Sequence, residues 1–252
     1  MIKSKTKRLR IFAGPNGSGK STLAENLPKQ NISLGIFVNA DEIEKELNNK
    51  GSLSLYKYYR FKSTTKELRD YILNFGMTPV ILKNKNSELD FKIIKNRIYY
   101  TKQYNSYIAA DIASFIRSML LKRGKSFSFE TVFSHKSKLE IMREAKRLGY
   151  RVYFYFLATD DPEININRVD IRVDKSGHPV PKEKIIKRYY KSLELMYDAV
   201  KLSTRAYLFD NSGTFYELVA QIDFGKRVEI LDYDKKIPNW FIRYLYEKSL
   251  KK

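Results

Sequence analysis

Residues 14–22 read GPNGSGKST, filling every fixed position of the pattern G-x-x-x-x-G-K-[ST]. The flanks agree with it: RLRIFA at 8–13 is a short β-prone run, and STLAENL at 21–27 opens as a helix. A strand–loop–helix unit of this kind aims backbone N–H groups inward and seats a polyphosphate on the positive end of the helix dipole. Gly14, Pro15, Asn16, Gly17, Ser18 and Gly19 would wrap the phosphates, with Thr22 closing the run. Lys20 is expected to reach the β- and γ-phosphates, and the Ser21 hydroxyl to coordinate Mg²⁺. The competing reading is a flexible Gly/Ser turn, which leaves the complete pattern and its flanks unexplained. The stretch predicts a nucleoside triphosphate site.

Outward from this loop, strand-like and helix-like segments alternate, which implies an α/β fold with a mainly parallel sheet flanked by helices. Strands are predicted at 7–13, 35–40, 126–131, 151–158 and 205–210. Helices are predicted at 20–27, 41–48, 106–122, 136–148, 162–173 and 182–201, two of them stopped by Gly124 and Gly149. Two regions break the alternation. Residues 50–105 carry a helix at 65–75 and a hairpin at 90–101 turning on Lys95-Asn96, and they read as an inserted subdomain. Residues 216–252 read as a C-terminal extension, a strand pair followed by a helix after Pro238 that holds the only tryptophan, Trp240. The whole is one phosphate-loop domain of 252 residues, whose 43% hydrophobic content suffices for a core.

Composition removes several chemistries. The chain has no cysteine, so disulfides, thiolate metal sites and cysteine nucleophiles are excluded, and two histidines do not build a structural metal cluster. The basic N-terminus leads straight into the phosphate loop without a signal-like apolar run, and no stretch reaches the ~20 apolar residues of a membrane span. A cytoplasmic location is the expectation. Lys and Arg total 48 against 28 Asp and Glu, a net charge of +20. Such charge suits a polyanionic partner, and tyrosines interleaved with basic residues at 56–62 and 95–104 favour nucleic acid. Compositional drift toward AT-rich codons is the preferred account, since the basic residues are spread along the chain.

Ligands of an open parallel sheet bind at the carboxyl ends of its strands. Asp41 follows the second strand, where it is either an ordinary helix N-cap or a catalytic acid. Glu130 and Thr131 end the third strand, with Glu130 either its solvated tip or a Mg²⁺ ligand. Arg168 and Arg172 lie four apart on one helical face. They either clamp a transferring phosphoryl group or form a solvated face paired with Asp170, Asp174 or Glu163. Gly177-His178-Pro179 would end that helix in a loop able to close as a lid.

With these residues in view the chain resembles the zeta toxin family of phosphate-loop kinases, in its chromosomal, zeta-like branch. The resemblance rests on GPNGSGKST, VNADEI at 38–43, SFSFETVFSH at 126–135, the RV-x-x-RV run at 168–173, GHPVP at 177–181, KRYYKSL at 187–193 and FDNSG at 209–213. It implies transfer of the ATP γ-phosphoryl group to a hydroxyl of a small acceptor, which in characterised zeta toxins is UDP-N-acetylglucosamine. By position it implies Lys20 and Ser21 as the phosphate-loop lysine and Mg²⁺ ligand, and Asp41 as general base. Glu130 with Thr131 would lie near metal and substrate, and Arg168 and Arg172 on the phosphates. An antitoxin protein is the implied partner. The insertion at 50–105 departs from the family where a kinase of this shape would build its acceptor site. Two other readings stand beside it: a kinase of nucleic-acid ends or another metabolite, and a basic nucleotide-driven switch with no acceptor.

Overall fold

The computed structural model describes residues 6–78, 90–100, 105–174, 180–230 and 237–250. In chain order its first elements are β1 (Arg8–Ala13), α1 (Lys20–Asn26), β2 (Ile36–Val38), α2 (Ala40–Lys50), β3 (Ser52–Ser54), α3 (Thr65–Phe75), β4 (Phe91–Ile94) and β5 (Arg97–Tyr100). Next come α4 (Ser106–Lys122), β6 (Phe127–Thr131), α5 (Ser137–Arg147), β7 (Arg151–Ala158), α6 (Pro162–Asp174) and α7 (Lys182–Leu202). β8 (Arg205–Asp210), β9 (Glu217–Asp223) and β10 (Arg227–Ile230) follow, and a helical tail runs from Asn239 to Leu250. The chain forms two compact units, Met1–Leu34 with Ser128–Lys252, and Gly35–Phe127.

In the first unit the strands follow the order β10-β9-β8-β7-β1-β6, with β1, β7 and β8 parallel and β9 and β10 added antiparallel at the edge. Alternation along the strands divides the residues between two faces. On one face Ile11, Val152, Phe154, Phe156 and Leu208 are fully buried. There Phe133 packs on Phe154 at 5.1 Å, and Phe156 meets Trp240 of the tail at 6.3 Å. On the opposite face the register sets Phe12, Tyr155 and Tyr207 side by side, and the rings stack at 5.0 Å across each junction. Arg10 lies over Tyr153, and Arg205 pairs with Asp223 on the neighbouring strand. Cross-strand pairs of this kind fix register, because a one-residue slip would exchange the two faces.

The second unit contains the expected hairpin. β4 and β5 pair antiparallel with Ile94 opposite Arg97, and both turn residues, Lys95 at φ 46° and Asn96 at φ 59°, have the positive φ that a two-residue turn of type I′ requires. The sequence reading lacked β3, which adds to β5 and completes a three-stranded sheet in the order β3-β5-β4. Three residues give no periodic signal, and their partner strand lies more than forty positions downstream. α3 starts with a capping box, in which the Thr64 hydroxyl accepts from the Glu67 N–H and the Glu67 carboxylate accepts from the Thr64 N–H. Buried within α4, Asp111 accepts the N–H groups of Met77 and Thr78. Burial pushes the Arg117 guanidinium down to about 10, with Tyr71 and Asp111 pulling it part of the way back. The segment expected as an insertion, 50–105, lies inside this unit, together with β2, α2 and α4.

Among the described residues no helix is long and apolar enough to cross a membrane. Asn96 is both a turn former and the acceptor for the buried Ser63 N–H, at 3.3 Å. Asn96→Ala should therefore cost about 1–3 kcal/mol in urea unfolding. Lys95→Asn, which suits positive φ better, should be neutral or slightly stabilising in the same measurement.

Candidate nucleotide-binding site

The phosphate loop is shaped by how closely other backbone approaches it. Gly14 sits at φ 142°, and a Cβ there would lie 2.1 Å from the Leu157 carbonyl oxygen of β7. At Gly17, φ 73°, a Cβ would lie 2.7 Å from the Asn165 carbonyl oxygen and 3.3 Å from its Cα, against the backbone of α6. No side chain fits either gap, so these two glycines let the loop rest directly on a strand and on a helix.

Two asparagine amides then fix the loop. Asn165, fully buried, donates from Nδ2 to the Asn16 carbonyl at 2.6 Å. Asn211, just beyond β8, donates from Nδ2 to the Ser18 carbonyl at 3.0 Å, while its own N–H bonds the Ala158 carbonyl. The loop that carries Asn211 is itself anchored. Asp210 accepts from the Ser212 N–H and hydroxyl and from the Trp240 indole N–H at 2.9 Å. Arg168 of α6 donates to the carbonyls of Asn211 at 2.6 Å and Gly213 at 2.8 Å. The C-terminal tail thus supports the site through one tryptophan.

Lys20 Nζ donates to the Pro15 carbonyl at 2.6 Å, so the lysine folds over its own loop. The Ser21 hydroxyl donates to Glu130 Oε2 at 2.8 Å. These two oxygens, from α1 and from the end of β6, suit a hard divalent cation such as Mg²⁺. Among the described residues no cluster of three His, Cys, Asp or Glu would hold a metal unaided. The loop also fits a polyphosphate. α1 has Gly19 at its N-cap in the left-handed region, with no side-chain cap and no acidic residue in its first turn. Ser18 Oγ is buried without a hydrogen-bond partner. Uncapped N–H groups and a buried hydroxyl are the donors an anion would satisfy.

The remaining sequence-predicted residues separate. Thr131 uses its hydroxyl to accept the Phe133 N–H at 3.2 Å, closing the turn after β6. Arg168 donates to the carbonyls after β8, whereas Arg172 is exposed one turn further along α6. Asp41 is exposed on α2 of the second unit, and the helix is capped by Asn39, whose side chain accepts the Asp41 N–H at 2.9 Å. The capping role considered for Asp41 therefore belongs to Asn39. His178 and its neighbours at 175–179 lie outside the described residues.

Two residues of this site were not singled out from the sequence, Asn211 and Asn165. Asn211 lies within FDNSG, a stretch that carried the resemblance, so a signal for it existed, while Asn165 had none. Lys187-Arg188 reads from the sequence only as added positive charge without a defined geometry. On α7 it is Arg188, not Lys187, that turns to the loop: its Nη1 is 3.5 Å from Asn16 Oδ1, while Lys187 is exposed. Arg188→Ala should lower kcat/KM for the nucleotide by about 10²–10³-fold, as removal of a preorganised donor typically does. Lys187→Ala should stay within about twofold in the same steady-state assay.

A family model described as an AAA domain matches residues 9–195, from β1 into α7. No curated protein sequence matches the chain. Among solved structures, the fold is similar to one from the PezAT chromosomal toxin–antitoxin system of Streptococcus pneumoniae. The TM-score is 0.52 at 12% identity, covering 98% of this chain and 84% of that one. A structure of AvrRxo1-ORF1:AvrRxo1-ORF2 with sulphate ions gives a TM-score of 0.51 at 12% identity, covering 92% of this chain but only 62% of that one. At such identity the likeness is one of fold. The chain belongs to the AAA domain family, and its fold is similar to that of a protein of the PezAT toxin–antitoxin system.

Proposed function

We propose that this protein transfers the γ-phosphoryl group of ATP to a hydroxyl of a small acceptor, a UDP-activated amino sugar such as UDP-N-acetylglucosamine. The observation that carries the reading is the Ser21–Glu130 contact of 2.8 Å beside Lys20 on an uncapped helix N-terminus. That arrangement suits a triphosphate with its metal. Ser21 and Glu130 would hold Mg²⁺, which when bound neutralises charge on the β- and γ-phosphates. Lys20 leaves the Pro15 carbonyl for the phosphate oxygens, where its charge is better matched. Arg172 and Arg188 are assigned to the charge that grows on the transferring group, and Arg168 holds the 211–213 loop against the phosphate loop. Asp41 is assigned to the acceptor. With Asn39 serving as the helix cap, its carboxylate is left to accept a hydrogen bond from the hydroxyl and to take the proton. The acceptor oxygen bonds to the γ-phosphorus as the bond to the β-bridging oxygen breaks, and ADP leaves. In a loose transition state this positioning matters more than base strength.

A protein antitoxin is the proposed partner, on the model of the toxin–antitoxin pairing of the PezAT neighbour. The test is a mass-spectrometric assay with ATP, Mg²⁺ and UDP-N-acetylglucosamine. A sugar nucleotide heavier by one phosphate is expected. Lys20→Ala and Asp41→Asn should each reduce its formation by at least about 10²-fold. Consumption of ATP with the sugar unmodified would reject this acceptor, and full activity in Asp41→Asn would reject the assigned base.

A further inference from the structure

The helical pair α6–α7 touches the phosphate loop at one residue from two sides. Asn165 on α6 holds the Asn16 backbone carbonyl at 2.6 Å, and Arg188 on α7 approaches the Asn16 side chain at 3.5 Å. The two helices are joined to each other by a buried apolar cluster of Ile166, Val169 and Ile185, with Val173, Val180 and Ile186 packed against it. A polar chain runs beside this cluster. Asn165 Oδ1 accepts the Thr159 hydroxyl, and the Thr159 carbonyl accepts the Tyr189 hydroxyl, one residue from Arg188. The orientation of the Asn165 amide follows from chemistry, because a backbone carbonyl only accepts and so must face the NH₂ group. Asn165 is fully buried, with both ends of its amide occupied.

We propose that Asn165 is a positioning residue: its amide holds Asn16 so that the phosphate loop keeps its binding shape without a nucleotide, and it ties that loop to the α6–α7 pair. This rests on the reading of the loop as a nucleotide site. Gly17 supports it independently, since the loop lies so close to the α6 backbone at Asn165 that a single hydrogen bond there controls the gap. Loosening that contact frees the loop to sample shapes in which its N–H groups no longer converge, so binding weakens without loss of any group that touches phosphate.

The substitution Asn165→Asp gives a readout that packing alone does not. Its ionised carboxylate would sit against an acceptor-only carbonyl, whereas the protonated acid donates an O–H and restores the bond. Hydrogen exchange of the peptide spanning 14–19 should be followed in full-length, nucleotide-free protein across a pH series, each point relative to wild type at that pH. Asn165→Asp should match wild type at low pH and exchange about tenfold faster as pH rises through the carboxyl titration. Asn165→Ala should be faster by a similar factor at every pH. Peptides from β7 and β8 should stay as in wild type, and ATP affinity should fall in step with the loop exchange. Unchanged 14–19 exchange in both variants would overturn the proposal, as would loss of protection spread evenly over the first unit. Because the exchange readout contains no nucleotide, it stands apart from whether the protein phosphorylates a sugar.

Discussion

The contact on which the site depends is backbone against backbone, at Gly14 over the Leu157 carbonyl and Gly17 over the Asn165 carbonyl. Packing without side chains brings strand β7, helix α6 and the phosphate loop within one hydrogen bond of each other. Polar groups trapped at that distance must be paired, since an unpaired buried amide costs about 1–3 kcal/mol. The asparagines 165 and 211 meet this requirement, each donating to a loop carbonyl that the turn itself leaves open. The pairing makes the loop stiff, and stiffness lowers the entropic cost of binding a flexible triphosphate.

Support for the loop spreads outward in layers. Asn211 is held through Asp210, Ser212 and the two carbonyls that Arg168 grips, and Asp210 is tied by Trp240 to the helical tail. β9, which pairs with Asp210 through Glu217, and the tail, through Trp240, therefore support the strand end from which Asn211 projects. Arg168 is instructive here. Its guanidinium fork matches the two neighbouring carbonyls of Asn211 and Gly213.

Much of the fold was readable because its signals are local. The fixed residues Gly14, Gly19, Lys20 and Ser21 imply a strand–loop–helix, and RVYFYFLA at 151–158 reads as a buried parallel strand. Lys95-Asn96 marks a turn because few residues tolerate positive φ twice in succession. β3 was missed for the complementary reason: three residues become a strand only by pairing with a distant partner. Within the candidate site, the placing of Lys20, Ser21 and Glu130 was legible from motif and strand end, while the different hydrogen-bond partners of Arg168 and Arg188 were not. Charge and spacing are the same for an arginine that meets a phosphate and one that meets a carbonyl.

Sequence alone determined that this chain is an α/β phosphate-loop protein without cysteine chemistry, because glycine, lysine and serine at fixed spacing constrain the backbone wherever they occur. It also determined the order of strands and helices, since periodicity is a property of neighbours. Tertiary structure alone decided that Asn39 caps α2 and leaves Asp41 uncommitted, and that Arg188 rather than Lys187 faces the loop. It alone joined Asn165 to Asn16 and Trp240 to Asp210. Those pairings link residues 30 to 149 positions apart. Hydrogen-bond geometry at a few ångströms selects them, and no local pattern in the chain encodes that distance.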